Sequence, residues 1–271
     1  MVTDGRFKRV AVNEKSAARV KDPPKMSTAS LFFPVLGVIL SNALYFSPLP
    51  AVRAASRTGH LGQLNVLPQA LMVVSTQAWM AYALAVPNPF IVASNLPGAI
   101  AALAFVTTTL PLIPRESADE RHTVQAVLVL GATFMLLMWT YLVFSAVDHD
   151  QRCFILGAYG SVICVILFAS PLSTVREVFA TANSASIYAP LTAAQCANCL
   201  MWTVYGLAIG DVWVYGPNGT GLALGSVQLI LKLLYPSHAL PKHYSGPEAA
   251  RLRAGKDSCS DEARSDDDNY S

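Results

Sequence analysis

Charge is what this sequence lacks. Only 13% of its 271 residues are Asp, Glu, Lys or Arg, 53% are hydrophobic, and the mean hydropathy is +0.42. A soluble domain carries about 25% charge, so the deficit excludes an ordinary water-soluble fold and points to a chain solvated by lipid. No Asp, Glu, Lys, Arg or His falls in the middle of any of the apolar spans delineated below. Lys232 stands near the end of the last span, where its aliphatic stem lets the ammonium reach the interface. Intramembrane carboxylates carry protons in pumps and symporters, and their absence argues for passive movement of a neutral solute.

A disulfide framework is also missing. The five cysteines (Cys153, Cys164, Cys196, Cys199, Cys259) are an odd set, mostly inside apolar runs. Cys196-x-x-Cys199 has no second Cys or His pair to complete a metal site. No Ser/His/Asp set, zinc spacing or phosphate-binding loop is present, so neither an enzyme nor a cofactor is expected. The net charge of +2 gives no basis for a nucleic-acid partner.

What is present is a repeat. Gly37–Ile113 overlays Gly160–Pro236 without a gap: Ser47-Pro48-Leu49 falls on Ser170-Pro171-Leu172, Trp79 on Trp202, Tyr82 on Tyr205, Asn95 on Asn218 and Gly98 on Gly221. The offset is constant (171 − 48 = 123; 202 − 79 = 123). Two apolar copies of this length are the signature of a transporter with its site between the repeats.

The expected fold is an all-α membrane protein of seven transmembrane helices. They run over about 30–51, 64–86, 90–111, 123–147, 153–175, 190–209 and 212–235, each near the ~20 apolar residues that cross a bilayer. Three helices per repeat is an odd number, so a fourth helix is needed between the copies to keep them parallel. This gives 3+1+3: residues 29–113 as the first repeat, 114–152 as the linker helix with its loops, and 153–236 as the second repeat. The polar segments 1–28 and 237–271 read as disordered tails. Arg53, Arg57, Arg115, Arg121 and Arg176 lie on loops of one side, against Arg152 alone on the other. By the positive-inside rule the first side and the C-terminus are cytosolic and the N-terminus is outside; the basic N-terminal tail opposes this, but three loops agree.

Three residue types recur in both copies. Pro48, Pro68, Pro171 and Pro190 stand at one membrane depth, where loss of a backbone donor kinks a helix; as a ring they are expected to act as hinges, although proline is also common in membrane helices generally. Trp79 and Trp202, one turn before Tyr82 and Tyr205, offer flat apolar walls with one N–H donor, or else belong to an interfacial aromatic belt. Asn95 and Asn218 place uncharged amides inside helices, which suits a hydroxyl-rich neutral ligand, or else an interhelical hydrogen bond.

Taken together, Ser47-Pro48, Ser170-Pro171-Leu172, Trp79-x-x-Tyr82, Trp202-x-x-Tyr205-Gly206, Pro217-Asn218-Gly219-x-Gly221 and Gln228-Leu229-Ile230-Leu231 resemble the SWEET sugar transporters, the MtN3/saliva group. The resemblance implies a seven-helix 3+1+3 fold with an outward N-terminus. It also implies bidirectional uniport of mono- or disaccharides; a plasma-membrane location is expected. Its sugar pocket would be Trp79, Trp202, Asn95 and Asn218; its gate would include Tyr82, Tyr205 and Asp211. Two indoles at the pocket favour a hexose. The partners are then a neutral sugar and the lipid bilayer, with homo-oligomerisation left open. The first repeat departs from the pattern in lacking a Gly after Tyr82 and in reading Asn95-Leu96-Pro97-Gly98. Pro68-Gln69 also resembles the related PQ-loop carriers, and a proton-coupled carrier of another small organic solute is the alternative. A seven-helix receptor or retinal protein fits neither the repeat nor the position of Lys232.

Overall fold

The computed structural model describes residues 28–62 and 64–237. The two tails therefore lie outside the described residues, apart from positions 28 and 237. Among the described residues there are nine α-helices and no strands: α1 (Thr28–Phe46), α2 (Leu49–Thr58), α3 (Leu67–Ala85), α4 (Pro89–Thr109), α5 (Ala118–Phe144), α6 (His149–Leu167), α7 (Ala169–Thr181), α8 (Ala189–Ile209) and α9 (Val212–Leu234). They make the seven expected spans, because α1–α2 and α6–α7 are each one span broken in two.

The breaks are where the sequence puts proline. Pro48 caps α2; it has no N–H, and the Leu44 carbonyl is taken instead by the Ser47 amide (3.2 Å) and hydroxyl (2.8 Å). Pro171 occupies the first turn of α7, just past the matching break at Phe168. The single helices expected over 30–51 and 153–175 are thus corrected to helix pairs. Pro68 and Pro190 stand in the first turns of α3 and α8, where a missing N–H costs nothing and no kink results. Helix α3 starts at Leu67 rather than residue 64 because the Asn65 side chain accepts the Leu67 amide at 2.9 Å. Helix α5 starts earlier than expected, with Asp119 and Glu120 favourably placed in its first turn.

Six helices close a ring. Within the first repeat α4 packs between α1 and α3; within the second α9 packs between α6 and α8; α1 against α8 and α3 against α6 complete the circle. Helix α5 lies outside the ring against α3, with Val74 packed onto Gly131. Its other faces present Val129, Leu130, Leu136, Leu137 and Phe144 outward, the inverse of a soluble protein and what lipid requires. Four segments are long and apolar enough to cross a membrane: 31–58, 89–112, 115–144 and 149–181. The other three spans, α3, α8 and α9, have 19, 21 and 23 residues but are diluted by amides and hydroxyls. Several of these, such as Ser75, Gln195 and Gln228, face the interior of the ring.

Candidate substrate pocket and gate

All four expected pocket residues come together at the centre of the ring. Trp79, Trp202, Asn95 and Asn218 line one pocket with Ser41, Tyr45 and Asn198. Trp202 is buried at 6% exposure. The indoles are held in repeat-symmetric fashion, each edge-on to its own tyrosine with ring centroids 5.9 Å apart (Trp79–Tyr82 and Trp202–Tyr205). Each also rests on a glycine of the opposite repeat, Trp202 on Gly37 and Trp79 on Gly160, and these glycines are themselves a repeat pair (160 − 37 = 123).

The two seats differ in tightness. A Cβ at Gly37 would stand 3.0 Å from Cε2 and 3.1 Å from Nε1 of Trp202, whereas one at Gly160 would meet Trp79 at 3.4 Å, an ordinary contact. That Nε1–H donates to Ser41 Oγ at 3.0 Å, and Ser41 donates onward to Asn198 Oδ1 at 2.8 Å. Gly37→Ala is therefore expected to displace the indole, break this relay and raise the KM for transport several-fold, while Gly160→Ala stays close to wild type. Concentration-dependent uptake rates check the pair, and equal effects would sink the asymmetry.

The amides are used differently. Asn95, 6% exposed, donates to the Ile91 carbonyl (3.0 Å) and Ser94 Oγ (2.9 Å) and accepts from the Tyr45 hydroxyl (3.2 Å). Asn218 donates to the Val214 carbonyl at 2.8 Å, leaving its oxygen on the pocket. Pro97, the departure in the first repeat, leaves the Ala93 carbonyl without its helical donor; the Asn42 side chain supplies one at 3.2 Å.

The pocket opens into a cavity of about 540 Å³ that reaches Pro48, Pro68 and Pro171, within the size range of small-molecule sites. Pro190 is not on its wall, though Leu191 is. At the opposite end the halves are bridged. The Tyr82 hydroxyl lies 2.8 Å from each Asp211 oxygen, and Asn88 Nδ2 donates to the Tyr205 hydroxyl at 2.9 Å. Sequence reasoning named Tyr82, Tyr205 and Asp211 but missed Asn88. The signal was available, since Asn88 is the repeat partner of Asp211 (211 − 88 = 123). Both cap the N-terminus of a helix, Asn88 accepting from the amides of Phe90 and Ile91, and Asp211 from those of Trp213 and Val214. Lys232 donates to the Ser184 carbonyl (2.9 Å) and Ser237 Oγ (3.2 Å), pinning the α7–α8 loop to the proline end of α9.

A family model described as "Sugar efflux transporter for intercellular exchange" matches residues 31–113 and 154–240, that is, both repeats with α5 left out. The chain belongs to the SWEET (MtN3/saliva) family. Among similar SWEET proteins are the sugar transporter SWEET1 of Dictyostelium discoideum, 28% identical over 212 residues covering 77% of this chain and 94% of the relative, and the bidirectional sugar transporter SWEET11 of Arabidopsis thaliana, 27% identical over 83% of this chain and 78% of the relative. A solved structure of a eukaryotic SWEET transporter superposes with a TM-score of 0.67 at 23% identity, covering 76% of this chain and 96% of that one. This places the ring of six helices with an outlying linker in the SWEET fold.

Proposed function

We propose that this SWEET protein is a bidirectional facilitative transporter of sugars, a hexose uniporter working by alternating access. The observation that carries the reading is the pocket itself, in which indoles, amides and hydroxyls but no ionisable carboxylate or amine face the centre of the ring. A neutral polyol can stack its C–H face on an indole and exchange hydrogen bonds with the amides, and nothing there holds a coupling proton. The two repeats, 29–113 and 153–236, are the bodies that rock, with 114–152 as their linker; the hinge lies at the proline level, where the helix breaks at Pro48 and Pro171 flex and Pro68 and Pro190 start the helices beside them. One end is bridged while the other is widened, as one state of such a cycle requires. The loop arginines support a cytosolic proline end and C-terminus with the N-terminus outside, and the plasma membrane is the proposed location.

The test is radiolabelled glucose counterflow in proteoliposomes, with and without a pH gradient, alongside uptake of a sugar panel in hexose-transport-deficient yeast. Glucose flux should persist at the same rate without the gradient. Flux that needs the gradient would overturn uniport and favour a proton-coupled carrier; flux of disaccharides alone would overturn the hexose assignment.

A further inference from the structure

The repeat symmetry is broken at several pocket positions, and one of them, Tyr45, touches a pocket asparagine. Tyr45 is the partner of Phe168 (168 − 45 = 123), and the two rings occupy matching seats. Tyr45 lies on Gly98, where a Cβ would come within 2.3 Å of its Cδ2; Phe168 lies beside Gly221, where a Cβ would meet its Cε1 at 3.3 Å. Gly98 and Gly221 are themselves a repeat pair. Both rings are thus fixed against the helix that carries the pocket asparagine of their own repeat. Only Tyr45 has a hydroxyl, and it donates to Asn95 Oδ1 at 3.2 Å. With Nδ2 already committed to Ile91 and Ser94, Asn95 has no donor left for a ligand, and one of the two lone pairs of its oxygen is engaged by Tyr45. Phe168 can donate nothing, and Asn218 Oδ1 keeps its acceptor lone pairs for the pocket.

We infer that Tyr45 is a specificity-determining residue that makes recognition one-sided: its hydroxyl takes one of the two acceptor lone pairs of an Asn95 whose donors are already used, so the substrate's hydroxyls bond mainly to the second-repeat face, above all to Asn218. Asn95 is then a positioning residue for Tyr45. The inference deepens the sugar-transport reading and rests on it. The physical reason is competition: an intramolecular donor held at the acceptor must be displaced before a ligand hydroxyl can use it.

The experiment measures hexose uptake as a function of concentration for wild type, Tyr45→Phe and Phe168→Tyr, with detergent melting as the control for folding. Tyr45→Phe frees the Asn95 acceptor and is expected to lower KM roughly 2- to 10-fold, the range one net hydrogen bond allows. Phe168→Tyr brings a donor to Asn218 and is expected to raise KM by a similar factor. Asn218→Ala should raise it more than Asn95→Ala does. An unchanged or raised KM in Tyr45→Phe overturns the inference, as does a folded Asn95→Ala that is as impaired as Asn218→Ala. If Tyr45→Phe does not fold, Phe168→Tyr decides alone, and an unchanged KM there is equally fatal. Absence of hexose uptake by the wild type strikes the functional reading instead, so the two failures are separable.

Discussion

Gly206→Ala is expected to destabilise the protein by about 1–3 kcal/mol, the cost of forcing one methyl group into a filled interface, and to remove most of its transport. A Cβ on Gly206 would lie 2.6 Å from the backbone nitrogen and 3.1 Å from the Cα of Tyr215. Neither is a side chain that can rotate away, and α8 and α9 are tied together four residues later by the turn through Gly210, whose φ is +70°. The two helices must therefore separate, which moves Asp211 at its bridge to Tyr82 and Asn218 in the pocket together. The first repeat supplies the contrast. Ala83 occupies the matching position (206 − 83 = 123) and is fully buried, so the methyl that the second hairpin rejects is already accommodated in the first. Ala83→Gly should cost about 1–2 kcal/mol, the helix propensity difference plus the loss of one buried methyl group. Melting of detergent-solubilised protein measures both, and a Gly206→Ala variant that melts with the wild type would show that α8 and α9 separate without penalty.

Asp211→Ala is expected to be the most damaging substitution at the bridged end, because one side chain does two jobs. It accepts the Tyr82 hydroxyl across the repeat interface at 2.8 Å, and it caps α9 through the Trp213 amide at 3.0 Å and the Val214 amide at 3.3 Å. A hydrogen bond to a charged group is worth about 1.5–3 kcal/mol, and each 1.4 kcal/mol is a factor of ten in a population. Losing it should shift the resting equilibrium about tenfold or more toward the conformer opened at the Asp211 end. The measurement is labelling of Cys164, which lines the wide cavity, by a polar thiol reagent in a background where the other cysteines are replaced. Labelling should fall in Asp211→Ala. Tyr82→Phe removes the bridge and spares the cap, so it should reproduce the shift in labelling with a smaller loss of thermal stability. Labelling that rises or stays constant in both variants would mean that this contact does not hold the gate.

How much of this was legible beforehand depends on the kind of signal. The spans were readable because a lipid-facing helix needs an uninterrupted apolar run, and the repeat because a constant offset survives in the one-dimensional string. Trp79 and Trp202 could be paired with Tyr82 and Tyr205 from helical spacing alone, and the structure stacks each pair edge-on. Broken helices were harder. Pro48 was visible, but whether a proline kinks a helix or starts one depends on where the helix begins, and at Pro68 that was settled by the side chain of Asn65 three residues upstream.

The amino-acid order by itself determined the membrane class, the two like-oriented halves and the residue types at the centre, since these follow from composition, periodicity and parity. Only the tertiary structure decided which of those residues has a hydrogen bond left to offer. Asn95 and Asn218 are equivalent in the string, yet one is capped by Tyr45 and the other is not. Trp202 spends its indole N–H on Ser41, 161 residues away. Such commitments depend on distances of about 3 Å between side chains on helices far apart in the chain, and no local pattern encodes them.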